Sequence, residues 1–207
     1  MNRPEIKAIL FDWGGVLIED PAPDFLNEFS LLLDVPKVDL QLVFTEYHLR
    51  FQTGLVKEVD IWKDLCNRLG VEVPPSQSGS LWKDVVRKVF KNKTENWDLV
   101  KSLRHQGFKT GLLSNTEVPT REFFFEQGYD QYFDALVFSC DEGRVKPDPL
   151  IYQLALDRLD LPAVETVFID DRRDFAQSAT ALGIHGITFE NIPQMKTKLR
   201  ALGVSLD

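Results

Sequence analysis

Hydrophobic residues along this chain follow two patterns. Short apolar runs closed by turn formers predict strands buried on both faces of a sheet. Such runs lie in residues 6–11, 108–113, 135–138, 166–169 and 185–189. Elsewhere the apolar positions recur at helical spacing. Phe25, Leu26, Phe29, Leu32 and Leu33 mark one helix, and similar spacing predicts helices over 38–51, 59–69 and 81–90. Breakers separate them: Asp34-Val35-Pro36, Thr53-Gly54, Gly70 and the loop 74–79. From Thr94, which has the chemistry of a helix N-cap, the pattern alternates. Helices are predicted up to Gly107 and over 121–127, 150–159, 175–182 and 194–202, with a polar loop over 139–149.

Strands alternating with helices imply a parallel sheet covered by helices. The chain therefore reads as an α/β protein, a Rossmann-like parallel sheet core carrying an inserted all-helical cap. Residues 1–19 and 93–207 form the core domain and 20–92 the cap. The insertion starts just after the first strand, so it is placed to close over that strand's end like a lid.

Composition narrows the function. A chain of 207 residues accommodates such a core with an insertion. A net charge of −8 and a pI near 5.0 argue against general nucleic-acid binding and against attraction to an anionic membrane. The start MNRPEIK holds no apolar leader and no run is long enough to span a bilayer, so a cytoplasmic location is the default. The two cysteines, Cys66 and Cys140, form no disulfide framework or zinc motif, and His48, His105 and His185 lack ligand spacing and read as structural.

The chemistry gathers at the carboxyl ends of the strands, where open α/β sheets bind ligands. The first run delivers Asp12 to its end, and Gly14-Gly15 turn the chain away. The next delivers Ser114-Asn115, the third Lys146 some way beyond it, and the fourth Asp170-Asp171. Each alone has a plain structural role as a turn residue, a cap or a solvated lysine. Together they make a site. A carboxylate can attack phosphorus and form an aspartyl-phosphate. Clustered carboxylates repel one another, and a hard divalent cation such as Mg²⁺ relieves that repulsion. A serine hydroxyl, backbone N–H groups and a lysine can hold the phosphoryl oxygens.

In order and spacing, FDWGGVL, LLSNT, RVKPDP and VFIDD resemble the haloacid dehalogenase superfamily, most of whose members are phosphatases. The insertion resembles that family's C1 helical cap. The nearest likeness is to small phosphatases with a glycine in the first motif, of the glucose-1-phosphate phosphatase type, and to the N-terminal domain of soluble epoxide hydrolases. The resemblance implies Asp12 as nucleophile and metal ligand, and Ser114, Asn115 and Lys146 as phosphate-binding groups, Lys146 also steadying Asp12. It implies metal binding by Asp12, Asp171, Asp170 and the Gly14 carbonyl, with Mg²⁺ as cofactor and a small phosphorylated metabolite as substrate.

Two positions depart from the family pattern. Where most of its phosphatases carry a second aspartate that protonates the leaving group, this chain has Gly14. Where double-aspartate relatives carry Asn or Asp, it has Phe175. Glu19, Asp20 and His48 of the insertion are candidate replacements for the missing acid. Phe25, Tyr47, Phe51 and Trp62 are candidate pocket aromatics, although packing inside the cap is the commoner role for such residues. Two other functions fit the same residues. One is a metal-independent 2-haloacid dehalogenase, for which Gly14 suffices but the acidic pair is superfluous. The other is a phospho-ligand-binding protein on a catalytically weakened scaffold.

Overall fold

A computed structural model describes residues 4–206. Five parallel strands form one sheet in the order β3-β2-β1-β4-β5. They are β1 (Ala8–Phe11), β2 (Lys109–Ser114), β3 (Ala135–Phe138), β4 (Thr166–Asp170) and β5 (His185–Thr188). The chain builds outward from β1 on one side and then returns to add β4 on the other, so the topological switch lies between β1 and β4.

Successive residues of β1 serve opposite faces, which is why the strand reads as unbroken apolar sequence. Ile9 and Phe11 join the cluster formed with α5 (Thr94–His105), α6 (Val118–Glu126) and α10 (Ile192–Ala201). Ala8 and Leu10 join the cluster formed with α8 (Pro149–Leu159) and α9 (Arg173–Ala181). Each such leucine, isoleucine or phenylalanine removed from water contributes about 1.5–3 kcal/mol.

Between β1 and α5 lie four helices: α1 (Ala22–Leu33), α2 (Lys37–Gln52), α3 (Glu58–Leu69) and α4 (Leu81–Val89). They enclose a separate apolar centre around Phe29, Leu40, Val43, Trp62, Leu65 and Val85. Glu58 organises it, accepting hydrogen bonds from Trp62 Nε1 at 2.7 Å and from the Trp82 backbone N–H at 2.8 Å. Lys83 of α4 bridges to Glu122 and Glu126 of α6, each at 2.9 Å, and so fixes this bundle to the sheet domain. Among the described residues no helix is long and apolar enough to cross a membrane.

Three local expectations need correction. Thr94 is the first residue of α5, and Lys93 stands at the cap position without a side-chain cap bond. Lys93 Nζ instead donates to the Gly15 carbonyl at 2.6 Å, so it secures the turn after β1. The segment 139–149 is not wholly loop, because Ser139–Glu142 forms a single helical turn, α7. Helix α6 starts at Val118 rather than Arg121, since Pro119 fits the first turn of a helix.

Candidate active site

Asp12 continues the pairing of β1 with β4, its N–H donating to the Ile169 carbonyl at 2.9 Å. This pins the side chain beside the switch point. Its Oδ1 receives the Trp13 N–H at 2.7 Å and Lys146 Nζ at 2.9 Å. Both donors converge on one oxygen, which leaves Oδ2 for other chemistry. Trp13 is itself anchored, its ring meeting Phe124 edge-on at 5.1 Å.

Lys146 is wholly buried and also reaches Asp170 Oδ2 at 2.7 Å. Burial pushes its ammonium toward neutrality, but Asp12 and Asp170 outweigh this and hold it above its ordinary value. Burial has the opposite consequence for Asp12. Desolvation raises its pKa to about 7, against the pull of Lys146 and with a further push from Asp170. Desolvation and then Asp170 raise Asp171 as well.

One oxygen each from Asp12, Asp170 and Asp171 lie within 4.8 Å of one another, so the three carboxylates could hold a metal ion. The donors are all hard oxygens, which suits Mg²⁺ better than a soft metal, and a cation there would relieve the repulsion that raises Asp12 and Asp171. Asp170 stands behind the other two. It is fully buried, and its second oxygen accepts the Arg172 N–H at 2.8 Å. Gly15 permits the close approach on the other side: its φ is +73°, and a Cβ there would fall 2.3 Å from Asp171 Oδ2. Gly14 has no such constraint. A Cβ built on it meets nothing nearer than Pro21 Cδ at 3.9 Å.

A cavity of about 710 Å³ opens over this cluster, between the strand ends and the helical bundle. Asp12, Gly14, Ser114, Asn115, Lys146 and Asp171 all line it. The Asn115 side chain engages the Lys146 backbone, and the residue still lines the cavity. It donates to the Lys146 carbonyl at 3.1 Å and accepts its N–H at 2.8 Å, so it clamps the lysine in place.

Phe175 is buried in the core, and its ring centroid lies 5.3 Å from Lys146 Nζ and 4.0 Å from the Arg172 guanidinium carbon. It gives the lysine a π-face in place of the polar group that the family pattern leads us to expect. Asp174 does not replace that group, because it pairs with Arg172 at 2.6 Å on the surface. Of the candidate acids, Glu19 is exposed and 3.6 Å from Lys93, while Asp20 and His48 line the cavity. The His48 position departs from a purely structural role. His185 has one, its Nε2 lying 3.0 Å from the Val164 carbonyl oxygen. Phe25 lines the cavity, whereas Tyr47, Phe51 and Trp62 pack within the bundle. Phe44, Trp82 and Glu117 also line it, and no signal in the local sequence marked them.

Known proteins are similar to this chain in sequence and in fold. The family model for haloacid dehalogenase-like hydrolases matches residues 6–183. The mouse protein named acyl-CoA dehydrogenase family member 10 is 31% identical over 95% of this chain, which spans 19% of that protein's length. A sesquiterpene phosphatase of Aspergillus oryzae is 28% identical, covering 87% of this chain and 88% of its own. Among solved structures, a HAD-family enzyme of Bacteroides thetaiotaomicron in a magnesium complex superposes with a TM-score of 0.76 at 22% identity, over 90% of this chain and 94% of that one. With the strand-end carboxylates, the lysine between them and a family match that runs through all four motifs, this chain belongs to the haloacid dehalogenase-like hydrolases.

Proposed function

We propose that the protein is a Mg²⁺-dependent phosphatase that hydrolyses a small phosphorylated metabolite through an aspartyl-phosphate on Asp12. The observation that carries this reading is the asymmetry of Asp12. Its Oδ1 is held by Trp13 N–H and Lys146, which leaves Oδ2 as the attacking atom beside the cavity. The site then works by position and charge. Oδ2 forms a bond to phosphorus as the bond to the alcohol oxygen breaks, the departing oxygen taking its proton from solvent, and water later cleaves the acyl phosphate to release orthophosphate and return the carboxylate. Ser114 and Lys146 hold the phosphoryl oxygens, and Asn115 keeps Lys146 in register. Asp12, Asp171 and the Gly14 carbonyl would hold Mg²⁺, with Asp170 supporting them from behind. The cation supplies charge neutralisation for the phosphoryl oxygens. The helical insertion, residues 20–92, would act as the cap that selects the substrate.

The acidic pair favours this reading over a dehalogenase, whose chemistry needs no cation. The test is hydrolysis of p-nitrophenyl phosphate with Mg²⁺ and after chelation. The expected result is turnover that falls to background with EDTA and returns on adding Mg²⁺. Halide release from a 2-haloacid in EDTA, without phosphate release, would overturn it.

The open space at Gly14 yields a second expectation. Glycine is not required there by backbone or by neighbours, so a Cβ is accommodated and Gly14→Asp would place a carboxyl where other phosphatases carry their proton donor. It should raise kcat for alkyl phosphates by about 10- to 100-fold, with a smaller gain for p-nitrophenyl phosphate, whose leaving group needs little help. Steady-state rates on the two substrates check this.

A further inference from the structure

The cavity has a second polar end. Glu117 follows the Ser114-Asn115-Thr116 turn, stands at the N-cap of α6 and lines the same cavity as Ser114. The residue is half-buried, with its carboxyl group enclosed. His48 and Gln52, one turn apart on α2, face it across the seam between bundle and sheet. Thr120 Oγ1 lies 3.2 Å from its Oε2 and in turn accepts the Trp82 indole N–H at 3.1 Å. Burial pushes the Glu117 carboxyl above the usual carboxylate range, against the pull of His48, Gln52 and Thr120. The bundle contributes mainly apolar lining besides, with Phe25, Leu26, Phe44 and Trp82, and one further amide, Gln41. Nothing in the phosphoryl-transfer machinery uses Glu117.

Resting on the phosphatase reading, we propose that Glu117, with His48 and Gln52, binds a hydroxyl of the substrate's alcohol portion, so that the substrate is the monophosphate of a small polyol or sugar. A phosphate seated between Asp12 and Ser114 directs its ester group into the rest of the cavity, past Glu117. A hydroxyl there both donates to the carboxyl and accepts from the amide or imidazole. A hydrocarbon chain in the same place shuts these groups off from water and offers them no polar partner beyond one another, and a site built for hydrogen bonds rejects analogues that lack them.

The experiment compares kcat/KM for ribitol 5-phosphate, farnesyl phosphate and p-nitrophenyl phosphate in the wild type, Glu117→Gln and Glu117→Leu. The wild type should prefer ribitol 5-phosphate to farnesyl phosphate. Each substitution should lower kcat/KM for ribitol 5-phosphate about 10- to 100-fold more than for p-nitrophenyl phosphate, mainly through KM. Glu117→Leu should also shift the balance toward farnesyl phosphate. Wild-type preference for farnesyl phosphate, or equal losses on all three esters, overturns the assignment of Glu117. Absence of any hydrolysis by the wild type overturns the phosphatase reading instead. In that case calorimetric titration with ribitol 5-phosphate against orthophosphate still decides the matter. Tighter binding of the polyol ester, lost in Glu117→Gln, upholds the Glu117 site, and equal binding rejects it.

Discussion

Asp12→Asn should lower kcat for p-nitrophenyl phosphate on the order of 10⁴-fold or more at saturating Mg²⁺, because it removes the atom that forms the bond to phosphorus. The fold should survive. Asparagine keeps an oxygen for the Trp13 N–H and for Lys146, which hold Oδ1 in the native protein. Stability supplies an independent readout. The native Asp12 pKa of about 7 lies above the ordinary 3.8, chiefly because of burial. Ionising it therefore costs stability as pH rises from the ordinary value through the folded one. The uncharged amide escapes that cost, so the metal-free D12N protein should melt no lower than the wild type at pH 8. Turnover assays and thermal melts together separate a lost nucleophile from a lost fold. A D12N protein that retains wild-type turnover would remove Asp12 from the mechanism.

Lys146→Met should be the more damaging change to the fold. The lysine is the cation between Asp12 and Asp170, at 2.9 and 2.7 Å, and it is fully buried. Methionine fills much of the space but leaves the carboxylates uncompensated. Breaking a buried pair in this way costs about 3–5 kcal/mol, on the order of a 10 °C fall in Tm for a chain of this size. The loss should be larger at pH 8 than at pH 5. Without Lys146, which normally lowers it, the Asp12 pKa rises further, so at pH 8 folding must either draw a proton onto the carboxyl or bury its charge, whereas at pH 5 the carboxyl is protonated with or without Lys146. Added Mg²⁺ should recover part of the loss at pH 8, since it replaces some of the missing positive charge. Activity should also fall by at least about 100-fold, as for removal of a single oxyanion donor. Melting curves at the two pH values, with and without Mg²⁺, test this, and a Tm equal to the wild type at both would refute the role given to Lys146.

What the sequence disclosed follows the range of the forces involved. Strands such as β1 and β4 were readable because burial on both faces leaves an unbroken apolar word, and their terminal acids stand out against it. Lys146 and Asp171 could be associated with Asp12 because sheet topology alone brings strand ends together. Helix α7 was not readable, since four residues carry no period. The role of Asn115 depends on the conformation of the Lys146 backbone, which no neighbouring residue announces. Phe175 was visible as an odd residue, but its ring beneath Lys146 is a tertiary fact. Glu117 was missed outright. Its local context is that of an ordinary helix start, and only the arrival of α2 from far along the chain encloses its carboxyl.

The strand order has a consequence for how the protein is made. The strand bearing Asp12 is synthesised before the other four strands of its sheet, yet it takes the middle of the finished sheet, between β2 and β4. Until β4 has been synthesised, one side of β1 has no partner, and the unfinished sheet presents an apolar edge to other nascent chains. The charges follow the same timetable, for Asp12 has no lysine until Lys146 emerges and no neighbouring acids until Asp170 and Asp171 follow. A chain cut short before β4 therefore has both a sticky edge and an incomplete site, and recovered enzymatic activity in a refolding or translation mixture counts only molecules that have closed the sheet.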